Sequence, residues 1–288
     1  MKKLRYLIEA ILLYALYYTF KILPLDIASN AGGAIASFLG PKMGVSKKAL
    51  RNLQDTMPDR SAAEQQAIIK EMWNNLGRVI AEYPHLAEIG RERVEIINGD
   101  VLTPLTKKDQ PAVIFGGHFA NWEATGSAAL TQYHLETIAV YRAPNNPWVN
   151  KLLEKARRKS GYTGTIAKSR AGSRQIMQKM QANENIAFLI DQKYNEGEEY
   201  PFMGRPAMTA DMFARLAQKY DCPLVPIQMK RLDQQARFTL TIHAPVPTKD
   251  ENGENRPIAD IITDCHALLE AAIKDNPGQW LWLHRRWH

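Results

Sequence analysis

The chain has 288 residues, 45% of them hydrophobic, enough to bury one large α/β domain or two smaller ones, and a single domain is the preferred reading. Its two cysteines, Cys222 and Cys265, are too few for a disulfide framework or a four-cysteine zinc site, and suit a reducing compartment. The 37 basic residues outnumber the 30 acidic ones, giving a formal charge of +7 that favours anionic partners; without a zinc-finger or helix-turn-helix pattern, lipid and acidic protein rank above nucleic acid.

Lys2, Lys3 and Arg5 precede the apolar run Ile11–Phe20, which Lys21 interrupts before Ile22-Leu23-Pro24-Leu25. Basic residues ahead of an apolar segment face the cytoplasm under the positive-inside rule. The run falls short of the roughly 20 apolar residues of a clean span. Residues 1–24 are therefore expected to form a tilted anchor with snorkelling ends or a helix lying in the interface, with a helix packed on the rest of the fold as the alternative. No small-x-small site precedes Pro24, which disfavours a cleaved signal peptide.

Residues 25–288 then read as one domain, helical to about residue 90, with turns at Gly40-Pro41 and Met57-Pro58-Asp59. Ser61 and Glu64 make a capping box for a helix whose apolar side carries Ile68, Ile69, Met72, Trp73, Leu76 and Ile80. From Val94 short apolar runs take over, at 94–97, 112–115, 137–141, 186–190, 224–229 and 238–242, separated by helical stretches near 120–132, 147–159, 171–182 and 209–219. This alternation predicts a mixed, largely parallel sheet flanked by helices, with some antiparallel pairing toward the end.

In such a sheet, polar residues just past the strands point into the ligand crevice. His118 follows the run 112–115 and Gly116-Gly117, Arg142 ends the next run, and Asp191 follows 186–190. Glu123 comes five residues after His118. On one continuous helix the two would lie about 140° apart. With His118 at the strand end and Glu123 on the following helix, the chain folds back and lets the carboxylate hold one imidazole nitrogen, leaving the other to take a proton from a hydroxyl. Further candidates for substrate binding or the oxyanion are Arg157, in the run Arg157-Arg158-Lys159 on one helix, and Arg170 with Arg174 at the start of another, for which a solvated helix face is an equal explanation. His284 and His288 have metal-compatible spacing, but an exposed C-terminal end explains them better.

The segments G-G-H-F-A-N-W-E, Y-R-A-P-N-N-P-W, D-Q-K-Y-N-E-G, P-F-M-G-R-P-A-M-T-A, D-C-P-L-V-P-I and W-L-W-L-H-R-R-W occur in this order along nearly the whole chain. Together they resemble the bacterial lipid A late acyltransferases. The resemblance implies a fold similar to glycerol-3-phosphate acyltransferase and an enzyme on the cytoplasmic face of the inner membrane. It also implies transfer of a fatty acyl chain from acyl carrier protein to a hydroxyl of a lipid A precursor. By position, His118 and Glu123 match the family's histidine, four spacers and acid. Arg157 matches a functional arginine, Asp191 opens the D-Q-K-Y-N-E-G segment, and Arg142 falls on a tyrosine-arginine pair. Ala143 stands where the family more often has proline, and Met203 where it more often has a second phenylalanine.

On this reading His118 is the general base, Glu123 orients it, and Arg142 or Arg157 serves the oxyanion or the precursor phosphates. Direct transfer needs no cofactor and no nucleophilic serine; no G-x-S-x-G elbow is present, and Cys222 reads as a small core residue. Two alternatives stay open at this point. One is an acyltransferase acting on another glycolipid or a glycerophospholipid. The other is a metal-dependent hydrolase using His118, Glu123 and Asp191 as ligands.

Overall fold

The computed structural model describes residues 2–284 and 286–287, so His288 and its spacing from His284 lie outside the described residues. Helices α1 (Lys2–Ile22), α2 (Leu25–Leu39), α3 (Ser46–Thr56), α4 (Ala62–Glu82) and α5 (Leu86–Glu92) come first. Strand β1 (Val94–Ile97) follows, then β2 (Val113–Gly116), α6 (Thr125–Tyr133), β3 (Thr137–Tyr141), α7 (Pro147–Lys159), β4 (Gly164–Ala167), α8 (Arg170–Gln181) and β5 (Asn185–Leu189). The chain continues through β6 (Glu198–Phe202), β7 (Arg205–Thr209), α9 (Met212–Lys219), β8 (Leu224–Arg231), β9 (Phe238–Ile242) and α10 (Ile258–Asp275).

Seven strands form one sheet in the order β1-β9-β8-β2-β5-β3-β4. From β8 to β4 every neighbouring pair is parallel; β9 runs antiparallel to β8, and β1 parallel to β9. Strand β2 is buried along its whole length, which explains an uninterrupted apolar run where a half-exposed strand would alternate. Val113 and Phe115 face one core with α9, α10 and α4, while Ile114 faces the other with α5 and α6. The β6–β7 hairpin stands apart as a two-stranded antiparallel sheet.

The capping box at the start of α4 forms as expected: Glu64 accepts the Ser61 N–H at 2.8 Å and its own N–H donates to the Ser61 hydroxyl. Ile68, Ile69, Met72 and Trp73 are buried, but Ile80 is exposed. Helices α2 and α4 meet backbone to backbone at Gly32 and Gly77, where a Cβ on either residue would approach the other's carbonyl oxygen to 2.5 or 2.2 Å.

No helix among the described residues is long and apolar enough to cross a membrane. One side of α1 docks on the domain: Asn146 donates to the Tyr6 carbonyl at 2.8 Å, Tyr14 to the Trp148 carbonyl at 3.3 Å, and Phe20 is buried. The rest leaves Leu4, Ile8, Ile11, Leu12 and Ile22 exposed, and α2 with its following turn adds Ile27, Ile35, Phe38 and Met43. The alternative of a helix fully packed on the fold therefore fails for the greater part of the α1 surface.

Candidate active site

Strands β2 and β5 are adjacent and parallel, and Gly116 is paired with Leu189. Two residues beyond that pair, at the carboxyl edge of the sheet, the chains bring His118 and Asp191 together. The His118 Nδ1 lies 2.7 Å from Asp191 Oδ1, and the His118 backbone N–H donates to Oδ2 at 2.8 Å. Gly117 allows this approach, since a Cβ there would stand 2.6 Å from the Phe119 ring and 3.3 Å from Asp191 Oδ2. Burial alone would push the Asp191 carboxyl up. The His118 charge, its ring and backbone hydrogen bonds and the Trp280 indole more than reverse this, holding it far below the usual carboxylate range. An ionised carboxylate fixes the tautomer: Nδ1–H donates to Asp191 and Nε2 keeps its lone pair.

Glu123 does not hold the imidazole. It sits in the 3₁₀ turn Trp122–Ala124, with its side chain turned toward α7. There the Arg157 fork donates Nε–H to Oε2 at 2.8 Å and Nη2–H to Oε1 at 2.7 Å. The planar guanidinium engages both carboxylate oxygens, and Asp191 already satisfies the imidazole Nδ1. Burial tends to raise the Glu123 carboxyl, but Arg157, with a hydrogen bond from Tyr83, holds it below the ordinary range. Burial likewise tends to lower Arg157, and Glu123 raises it instead. Arg157 Nη1 is buried with no hydrogen-bond partner among the described residues.

The loop after His118 is pinned from behind. Asn121 donates to Glu82 Oε2 at 2.8 Å, and Glu82 is a fully buried carboxylate held by Arg231 at 2.6 and 3.0 Å. Ala120, at φ 47°, takes a left-handed conformation, with its carbonyl accepting from Asn75 at 3.1 Å and its N–H donating to the Gln279 carbonyl at 3.0 Å.

On the open side, the Gln192 carboxamide nitrogen lies 2.9 Å from His118 Nε2 and 2.7 Å from His284 Nε2. Its two N–H groups fit two ring lone pairs. His284 is thus part of the site, contrary to the expected exposed end. Asn52 donates to the carbonyls of Trp282 and His284 and holds the segment in place, and burial with the nearby His118 charge pushes the His284 imidazole down to about 4. Arg142 is exposed at the end of β3; it acts electrostatically on His284 and Lys168, and Asp191 acts on Lys168 in the opposite sense. Arg158, Lys159, Arg170 and Arg174 are exposed on α7 and α8 and make no contact with the pair. The three ligands of the hydrolase alternative are not gathered round one point, and no cluster of three or more His, Cys, Asp or Glu able to hold a metal ion occurs among the described residues.

A narrow cavity of about 80 Å³ begins at Trp122, Glu123, Tyr141 and Arg157 and runs between α6 and the sheet, past Ala129 and Ala187, to Leu102, Leu135 and Thr137. The lining is mostly apolar, with Glu123, Thr125, Arg157 and Tyr162 as polar groups at one end and Thr137 at the other.

A family model described as bacterial lipid A biosynthesis acyltransferase matches residues 1–288. The chain belongs to this family. Among its relatives, the lipid A biosynthesis palmitoleoyltransferase of Escherichia coli (strain K12) is 24% identical over 271 residues, covering 88% of this chain and 84% of the relative. The lipid A biosynthesis acyltransferase of Shigella flexneri matches with the same identity and coverage.

Proposed function

We propose that this acyltransferase moves a fatty acyl group from acyl carrier protein to a hydroxyl of a lipid A precursor at the cytoplasmic surface of the inner membrane, with His118 as general base and Asp191 as the residue that orients it. The observation that carries the reading is the parallel register of β2 and β5, which sets Asp191 on Nδ1 and leaves Nε2 facing the mouth of the site.

The acceptor hydroxyl displaces the Gln192 carboxamide and gives its proton to His118 Nε2 as its oxygen attacks the thioester carbonyl carbon. Asp191 stabilises the imidazolium. The tetrahedral intermediate collapses with cleavage of the C–S bond, and the imidazolium returns the proton to the departing phosphopantetheine sulfur. The products are an ester and a free thiol. Arg157 lines the cavity and its buried Nη1 has no hydrogen-bond partner among the described residues, so it suits a donor to the oxyanion, a role in which losing one donor costs about 3 to 4 kcal/mol. Arg142 and Lys168 at the mouth suit anionic groups of the acceptor or of the carrier. The exposed apolar residues of α1 and α2, with Lys3, Arg5, Lys21 and Lys42 beside them, suit a pair of helices lying in an anionic lipid interface.

The test is incubation of the purified protein with lauroyl-, myristoyl- and palmitoyl-carrier protein and a tetraacyl lipid A precursor, read by mass spectrometry. The expected product is the precursor plus one acyl chain. Preferential acylation of a lysophospholipid offered alongside, or release of free fatty acid with no acylated acceptor, overturns the assignment.

A further inference from the structure

Among the described residues Asp191 is held by three donors, and one comes from the far end of the chain: the Trp280 indole N–H donates to Oδ2 at 2.8 Å. We propose that Trp280 is a positioning residue of the active site, whose indole N–H fixes the Asp191 carboxylate and moderates its pull on His118; this rests on the general-base reading of His118.

The geometry divides the carboxylate in two. Oδ2 takes the Trp280 indole and the His118 backbone N–H, both rigid, so Oδ1 is left at one orientation for the imidazole. Trp280 is itself locked. It is buried, packs edge-on against Trp282 at 4.6 Å between ring centres and against Phe202 at 6.1 Å, and its backbone bridges to Phe119, the residue after His118. The donor to Asp191 and the loop carrying His118 are thus one hydrogen-bonded unit. Neighbouring indoles behave differently: Trp282 and Trp287 donate to the carbonyls of Pro277 and Phe202. Those two bonds serve packing, whereas the Trp280 bond ends on the charge that orients the base.

The charged groups facing the pair are Glu123 from the loop after His118, Lys168 from the end of β4, His284 and Arg286 from the C-terminal segment, and Arg142 and, from α3, Lys48 near His284. Trp280 carries no charge, so replacing it leaves all of these in place. Loss of its N–H leaves the Asp191 charge less compensated and freer to rotate. The imidazolium is then favoured, and the acidic limb of the pH–rate profile moves to higher pH.

The experiment uses the full chain as Trp280→Phe, with Trp287→Phe as a packing control and His118→Gln as a reference. Turnover is measured from pH 5 to 9 with lauroyl-carrier protein and a tetraacyl lipid A precursor, and the downfield proton signal of His118 Nδ1–H, identified by its loss in His118→Gln, is recorded for each protein. For Trp280→Phe we expect kcat to fall about ten- to a hundredfold, the acceptor KM to stay within about twofold, the acidic limb to rise and the downfield signal to move. Trp287→Phe is expected to lower Tm while leaving the limb and the signal at their parental positions. A Trp280→Phe protein with unmoved limb and signal overturns the proposal. In the parent protein, with Trp280 intact, its indole N–H signal must titrate in step with the His118 signal; an indole signal flat across that range also overturns it. Undiminished turnover by His118→Gln sinks the general-base reading instead, and is told apart by that variant alone.

Discussion

Replacing Asp191 with asparagine changes one atom type and is expected to invert the chemistry of the base. Two rigid donors, the His118 backbone N–H and the Trp280 indole, converge on Oδ2 at 2.8 Å each. An asparagine must place its oxygen there and turn its NH2 toward His118 Nδ1. That nitrogen then has to accept, so the ring proton moves to Nε2, the position meant to receive the hydroxyl proton. A base held in the wrong tautomer loses roughly three to four orders of magnitude in kcat, about 4 to 5.5 kcal/mol of barrier. Glu123→Gln separates the two acids. It strips a buried guanidinium of its counter-charge, which costs roughly 3 to 5 kcal/mol of stability and lowers Tm by roughly 10 °C. The assay is acyl transfer to the tetraacyl precursor at saturating donor, with thermal melts of the same preparations. The reasoning is refuted if Asp191→Asn retains activity within tenfold of the parent, or if Glu123→Gln melts at the parental temperature while losing activity as Asp191→Asn was expected to.

Acid should destabilise the fold through His266, whose imidazole burial, with the charge of Arg286, pushes down to about 4. A group depressed on folding contributes stability that is complete above its unfolded value near 6.5 and declines as the pH falls toward 4, worth roughly 3 kcal/mol at most; melts across this range should show a shallower decline for His266→Gln, and an equal slope contradicts the assignment. Ala129→Leu fills the cavity between α6 and the sheet, so the preferred donor should shorten by two or more carbons in competition between acyl-carrier proteins, and an unchanged product distribution removes the cavity from the acyl path. Ile35→Asp with Phe38→Asp alters exposed positions on α2, so Tm should hold while binding to phosphatidylglycerol vesicles drops at least about tenfold. Vesicle binding equal to the parent's would show that this face does not touch lipid.

Much of the sheet could be read in the sequence because buried parallel strands are short apolar runs: 94–97, 137–141 and 238–242 coincide with β1, β3 and β9. The edge strand β4 carries a single fully buried residue, Ile166, and so lacks that signal; the β6–β7 hairpin, with Pro201 and Pro206 facing each other, does not look like a ladder. Helix α10 did carry a legible helical spacing in Ile261, Ile262, Cys265, Leu269 and Ile273. Placing polar residues after strands put His118 and Asp191 in one crevice, but a list of strands says nothing about which are neighbours. The β2–β5 register decides that Asp191, and not Glu123, meets the imidazole. The spacing from His118 to Glu123 was a correct indication that both belong to this region and a misleading one about contact, because the Arg157 fork lies 34 residues further along. Gln192, Trp280 and His284 reach the site through chain separations of 74 to 92 residues. Local pattern could not bring them there, although all three lie in the ordered segments that carry the family resemblance.

The most direct test of the account is single-turnover transfer by His118→Gln, with acyl-carrier protein and lipid A precursor premixed at saturation and the product counted by mass spectrometry. The account predicts that the variant melts close to the parent and forms acylated precursor roughly a hundred to ten thousand times more slowly. Product formed by a folded His118→Gln protein at the parental rate would contradict it.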